Sequence, residues 1–259
     1  MTRRIRSELG SSTAETITVR GLDLARDIIG KVSLGDVAFL ELKGRLPTPR
    51  ESAVFNAMAV TLVEHGMTPS AIAARLTYFG APESLQGAVA AGLLGLGDRF
   101  GGSIEGAART LQEGLEGARD NADLRTIAVG IVNAHQLQKQ VIPGLGHPVH
   151  KPIDPRTPRL FAVAAENGLS GRYVELMELI GVEASRTFRR DLPVNATGAI
   201  AALASELAIP WRVTRGLAVM ARAIGLVAHI QEEIEDPTAA EIWSRVEDEA
   251  SGHRQSERD

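Results

Sequence analysis

A chain of 259 residues, 44% of them hydrophobic, holds enough apolar material for one core and a small second lobe. Only 4% of its residues are aromatic, while alanine and glycine are abundant, which suits closely packed helices and argues against a β-sandwich. The formal net charge of −4 gives no general attraction to nucleic acid or anionic membranes, and the absence of cysteine excludes disulfides, thiolate metal sites and a cysteine nucleophile.

The N-terminal MTRRIRSELG is basic with no apolar run behind it, so no signal peptide is expected. No stretch of about 18 uninterrupted apolar residues is present to span a membrane, and a cytoplasmic location is the expectation. Residues 1–16 are polar around Gly10-Ser11-Ser12-Thr13 and read as a flexible arm. Ile17–Arg20 alternates like a short strand, and Leu22–Lys31 reads as a short helix. Ser33 is placed to cap an apolar turn over Val37–Leu42, which Gly44 ends.

Thr48 and Pro49 open a helix reaching Glu64, with Val54, Met58, Thr61 and Leu62 on one face; Gly66 stops it after His65. Thr68-Pro69 opens another, through Tyr78. From Leu85 to Leu96 the residues are Ala, Gly, Leu and Val with one Gln. A helix apolar all round is expected at the centre of a bundle, with Gly92 and Gly95 allowing close backbone approach. The break Gly97–Gly102 is followed by Ser103, capping a helix through Glu116, and Ile127–Gln140 is helical again.

Val141–Arg159, VIPGLGHPVHKPIDPRTPR, is a shaped loop. Gly144 and Gly146 permit sharp turns and close approach to a ligand, and Pro148, Pro152, Pro155 and Pro158 forbid a regular helix or central strand. A loop this basic and rigid is expected to bind something, the plain alternative being a structured turn with solvated charges. His147 and His150 are three apart, but the prolines prevent the one-face geometry of a helical pair and no matching carboxylate is evident, so no metal is expected. His65 alone reads equally well as a helix-terminal histidine favoured by the macrodipole.

Pro158–Glu166, Tyr173–Arg189 and Thr197–Leu207 look helical, and Pro210 starts a long helix to Glu235. In that helix Leu217, Ala221, Ile224 and Ala228 make an apolar face, while Arg215, Arg222 and His229 recur seven apart on another stripe. Pro237 ends it, and a short helix follows to Glu249. The fold class is all-α. Residues 17–250 form one helical domain, with room for a large lobe plus a small lobe around 150–210, and 251–259 read as a disordered tail.

Several of these segments resemble one family in its own order. Gly144-Leu145-Gly146-His147-Pro148-Val149 with Asp154-Pro155-Arg156 is similar to the G-x-G-H-x-V…D-P-R signature of the citrate synthase superfamily. Glu64-His65-Gly66-Met67-Thr68-Pro69-Ser70 resembles its D-H-x-x-N-x-S segment, Ile17–Gly21 and Gly44–Thr48 its N-terminal R-G and G-x-L-P-T segments, and Ala221–Gly225 its S-R-x-x-G helix. The long insertion of full-length citrate synthases shrinks here to the helix at Arg50–Glu64, giving a compact multi-helix fold with a shortened N-terminal half. Gly97-Asp98-Arg99-Phe100-Gly101-Gly102-Ser103 stands where the family has H-G-G-A and is similar to the citryl-CoA cleaving module of ATP-citrate lyase and to short stand-alone citryl-CoA lyases.

The resemblance implies ATP-independent retro-Claisen cleavage of a citryl-type CoA thioester to acetyl-CoA and a 2-oxo acid, oxaloacetate. It implies His147 at the tertiary hydroxyl, His65 on the acyl portion, and Arg156 and Arg222 clamping carboxylates. It places Leu145 and Gly146 along the thioester and Lys151 and Arg190 at the CoA phosphates. No cofactor is implied beyond coenzyme A within the substrate, and the assembly implied is a homodimer or higher homo-oligomer. Two positions depart from the pattern. Phe100 cannot donate a hydrogen bond, and Thr197 replaces the family's acid/base aspartate within Asn195-Ala196-Thr197-Gly198. That substitution leaves two alternatives open: a non-catalytic CoA-ester-binding protein, or a related enzyme with an altered CoA-ester substrate.

Overall fold

The computed structural model describes residues 5–99 and 101–252. Phe100, residues 1–4 of the arm and residues 253–259 of the tail lie outside them. The chain divides into two compact units, residues 1–61 with 104–214 and residues 62–103 with 215–259. Residues 150–210, the stretch with room for a separate lobe, fall wholly within the first unit.

In the first unit, strands β1 (Gly10–Ser12), β2 (Ile17–Val19) and β3 (Leu22–Asp23) form a small antiparallel sheet, with Gly10 opposite Val19 and Thr18 opposite Asp23. β1 lies inside the stretch that reads as an arm. Leu22–Lys31 is not an α-helix. Arg20 and Gly21 both take positive φ (49° and 81°), which reverses the chain into β3, and only a π-helical turn, Leu24–Ile28, follows. Helix α1 (Leu34–Lys43) begins at Ser33, whose hydroxyl accepts the Asp36 N–H, and ends at left-handed Gly44. Phe39 of α1 meets Phe55 of α2 (Pro49–Val63) edge to face at 5.5 Å, and both rings are buried.

Helices α5 (Ser103–Leu115), α6 (Leu124–Gln138), α7 (Arg156–Glu166) and α8 (Arg172–Phe188), with α6 packed on α8, share this unit with the most buried of its helices, α9 (Ala196–Glu206). Nine of its residues are buried, mostly alanine, so α7 and α8 pack closely onto it. Gln112 of α5 ties this core to the chain beyond α9. Its Nε2 donates to Ser205 Oγ (3.0 Å) and the Ile209 carbonyl (2.9 Å), and its Oε1 accepts the Trp211 N–H.

In the second unit, α3 (Pro69–Gly80, capped by Thr68) packs on α4 (Leu85–Leu94), and α11 (Ala239–Ser251) packs on α3. A side chain at Gly92 would meet Leu226 and the Ser70 carbonyl within 3 Å, the close approach its sequence suggests. The rest of α4 is not central. Only Ala88 and Gly92 are buried, and Leu94 is 88% exposed, because the small residues make the packed face and the leucines point away.

Helix α10 (Trp211–Glu235) carries a second correction. Leu217 and Ala221 are buried, but Ile224 and Ala228 are exposed, and the buried stripe continues through Arg222, Leu226, His229, Ile230 and Glu233. Among the described residues, α10 is long and apolar enough by composition to cross a membrane, yet half of that stretch is already buried in the protein. Its inward charges mark a core helix.

Candidate functional site

Two clusters concentrate the unusual chemistry, one in each unit. The first is built where the loop after α6 meets the N-terminus of α9. Gly144 and Gly146 both take positive φ (89° and 66°), and between them Leu145 bridges Val194 in an isolated antiparallel pair. The Gly146 N–H donates to the Pro193 carbonyl (2.8 Å) and the Asn195 N–H to the Gly144 carbonyl (2.9 Å). A side chain at Gly198 would lie 2.4 Å from the Gly144 carbonyl oxygen, so only glycine allows α9 to start against this loop.

Asn195 holds both sides of the junction. Its Oδ1 accepts the N–H groups of Thr197 (3.0 Å) and Gly198 (3.1 Å), capping α9, and also the Thr197 hydroxyl (2.7 Å). Its Nδ2 donates to the Gly146 carbonyl (2.5 Å). Asp154, 1% exposed, is the second bolt. Its carboxylate receives Nε and Nη2 of Arg156 (2.9 and 2.8 Å), the Arg156 N–H and the Ala196 N–H (3.0 Å). Burial by itself would raise this carboxyl. The Arg156 fork and the two backbone donors outweigh it and hold the group well below the usual carboxylate range. The glycine loop is therefore rigid before any ligand arrives.

His147 sits on that rigid base. Its Nδ1 accepts the N–H groups of Val149 (3.1 Å) and His150 (3.0 Å), which assigns the proton of the neutral ring to Nε2. His150 stacks on it with centroids 4.4 Å apart. A donor Nε2–H suits an oxygen that gains negative charge during a reaction. Beside the loop lies a cleft of about 340 Å³, lined by His135, Lys139, Leu145, Phe188, Arg190 and Leu192 among others. Apolar walls with two cations at the edge fit a ligand with an apolar part and anionic groups.

The second cluster runs through α3 and α10. Arg75, fully buried, donates Nη1 to Glu233 (2.9 Å), and its Nη2 also reaches Glu232. Its Nε lies 3.1 Å from His229 Nδ1, and His229 Nε2 lies 3.1–3.2 Å from the Glu64 carboxylate. Burial pushes Glu64 up, but the N–H groups of His65 and Gly66, the neighbouring His229 and the charge of Arg222 bring it below its ordinary value. Arg222 is 8% exposed; its Nη1 stands 3.6 Å from Glu64 and has no hydrogen-bond partner among the described residues. Burial pushes its guanidinium down, against the pull of Glu64. A buried guanidinium with an unpaired donor has the chemistry to accept an anionic group.

Residues 33–243 match the family described as citrate synthase, C-terminal domain. The chain belongs to that family. This citrate-synthase-family protein is 37% identical to the citryl-CoA lyase of Hydrogenobacter thermophilus, with 92% of this chain and 90% of that one covered and a TM-score of 0.82. The ATP citrate lyase of Methanosaeta concilii, solved as a variant with (3S)-citryl-CoA, shares the fold at 21% identity and a TM-score of 0.76, covering 91% of this chain and 39% of its own. Among curated relatives, the probable ATP-citrate synthase subunit 1 of Neurospora crassa is 25% identical, with 88% of this chain and 35% of its own length covered. The family chain spans about a third of the length of such relatives.

Of the residues singled out in the sequence, His147, Arg156, Thr197, Leu145, Gly146, Lys151 and Arg190 lie in the first unit, and His65 and Arg222 in the second. The structure brings Leu145 and Arg190 into one cleft, while exposed Lys151 does not line it. Arg156 spends its Nε–Nη2 edge on Asp154. The Thr197 hydroxyl is directed to Asn195. Sequence reasoning missed Asn195, Asp154, Lys139, Glu64 and Arg75. Asp154 and Glu64 were visible only as motif letters, and Arg75 had no signal at all.

The Thr197 geometry makes a prediction. Thr197→Val keeps the shape but removes a donor from Asn195, and we expect about 1 kcal/mol lower stability by denaturant unfolding. Thr197→Asp sets a carboxylate beside the acceptor Oδ1 and should cost at least as much. Unchanged unfolding midpoints in both variants would show that the hydroxyl does not support the cap.

Proposed function

We propose that this protein is a citryl-CoA lyase-type enzyme that cleaves a citryl thioester to acetyl-CoA and oxaloacetate without ATP. The observation that carries the reading is the 37% identity to a citryl-CoA lyase across nine-tenths of both chains. Supporting it, His147 presents a fixed Nε2–H donor for the tertiary hydroxyl and its developing carbonyl. Leu145 and Arg190 with Lys139 offer the cleft for coenzyme A; Gly146, next in the chain to Leu145, lies along the thioester in this reading, and Lys151, outside the cleft, serves the phosphates. Arg156 and Arg222 each supply a guanidinium for a carboxylate, and His65 hydrogen-bonds the acyl part. We place the enzyme in the cytoplasm as a homodimer or higher homo-oligomer.

A specific observation favours a second reading. With Thr197 engaged by Asn195, the family's acid/base position holds no titrating group. Under this reading the protein binds CoA esters without cleaving citryl-CoA, or acts on a different CoA ester. Citryl-CoA offered without ATP, with products followed by mass spectrometry, decides between them. The lyase yields acetyl-CoA and oxaloacetate in equal amounts. Tight binding of intact citryl-CoA with no product overturns the lyase reading.

A further inference from the structure

Three buried groups of the second unit, Arg75, His229 and Arg222, stand in a row with the exposed Glu64, and the hydrogen bonds from Arg75 through His229 to Glu64 all run one way. Arg75 cannot accept, so both of its N–H groups near His229, Nε at 3.1 Å and Nη2 at 3.0 Å, donate to Nδ1. That leaves the ring proton on Nε2, where it points at the Glu64 carboxylate. Glu64 is further fixed by the N–H groups of His65 and Gly66, and it faces Arg222. At its other end Arg75 is anchored on Glu233, 4% exposed, which also accepts from Thr238 and Ala239. A buried arginine that served stability alone would need only its carboxylate partner. Arg75 reaches two, Glu233 and Glu232, and still turns its Nε–Nη2 face to a histidine, a contact that adds no charge pairing.

We infer that Arg75 and His229 are positioning residues: through the Nε2–H of His229 they orient the Glu64 carboxylate, and Glu64 in turn aims the buried Arg222 guanidinium at an anionic ligand. The ligand class is a carboxylate of the proposed substrate, so the inference rests on the lyase reading for its chemistry, though not for its geometry. Glu64 stands 3.6 Å from Arg222 Nη1, beyond hydrogen-bond distance. It steers the guanidinium by charge while leaving the donor open. A closer pair would quench the site, and no pair would leave a buried cation that turns freely.

The test uses the full-length protein in two arms. In the ligand-free arm, ¹⁵N NMR of the histidine rings should show His229 as the Nε2–H tautomer, and the Arg222 side-chain signals should broaden in His229→Phe and in Glu64→Gln. In the ligand arm, calorimetry with oxaloacetate should give about tenfold weaker binding for each variant, and no further loss for the double variant, because both act on one path. His229→Gln, which keeps a donor near the Nε2 position, should recover part of the affinity. A purely structural role would lower the melting temperature and leave the affinity of the folded protein unchanged. An Nδ1–H tautomer, unaltered Arg222 signals, or losses that simply add in the double variant each overturn the inference. If wild type binds no oxaloacetate while the NMR arm holds, the lyase reading fails and the positioning device stands.

Discussion

Replacing His147 with asparagine is expected to lower citryl-CoA turnover by about 10²–10³-fold, the cost of one donor aimed at developing negative charge. Asparagine is chosen because its Oδ1 falls close to the imidazole Nδ1. It can keep the N–H groups of Val149 and His150 satisfied, so the loop turn survives while the Nε2–H is lost. KM should change little, since the donor matters most as charge builds on the oxygen. His147→Gln, which restores a donor further out, should recover part of the rate. Steady-state kinetics with a matched thermal melt checks this. Full activity in a folded His147→Asn variant would remove His147 from the chemistry.

The largest expected effect on stability comes from Asp154. Asp154→Ala strips the Arg156 fork and the Ala196 N–H of their shared acceptor. Breaking one side of a buried pair typically costs 3–5 kcal/mol, but Arg156 is 27% exposed and can turn to water. We therefore expect a loss of about 2–3 kcal/mol by denaturant unfolding. The pH dependence has a definite sign. The folded carboxyl titrates below its unfolded value, so its stabilisation is complete above about pH 4 and fades as pH falls through the lower folded value. The gap between wild type and Asp154→Ala should be constant near neutrality and shrink only in acid. A gap that persists undiminished at pH 2 would show that the charge of Asp154 does not carry the effect.

What was legible in the sequence follows from how local each signal is. Ser33, Thr68 and Gly44 act within one turn of their helix ends, and the structure finds them capping where their residue types suggest. The stretch from Gly144 to Pro155 was legible as a shaped loop because proline and glycine restrict the backbone on their own, but Arg156–Arg159, read into the same loop, is the first turn of α7, where Pro158 has no intrahelical N–H bond to lose. Its attachment was not. The bolts to α9 depend on Asp154 meeting Ala196 and Asn195 meeting Gly146, contacts 42 and 49 residues apart. In α10 the periodicity was correct, but the face held only as far as Leu217 and Ala221; Ile224 and Ala228 turn outward. Alanine, glycine and valine occur all round that helix, so apolar spacing could not tell which stripe turns inward. The inward stripe is the charged one, paid for by Arg75 and Glu64 from sequence more than 150 residues away. A similar ambiguity misplaced α4, whose buried face is marked by small residues and not by its leucines.

The central claim is carbon–carbon cleavage, and the isotopic fate of the acetyl methyl tests it most directly. In retro-Claisen cleavage the tertiary hydroxyl gives its proton to solvent as the oxaloacetate carbonyl forms and the enolate of acetyl-CoA leaves, and that enolate takes one proton from the site or the solvent. Citryl-CoA incubated with the protein in deuterium oxide without ATP should therefore give acetyl-CoA carrying one deuterium in its methyl group, together with one equivalent of oxaloacetate. Release of citrate and free coenzyme A without acetyl-CoA, or recovery of intact citryl-CoA, would contradict the account.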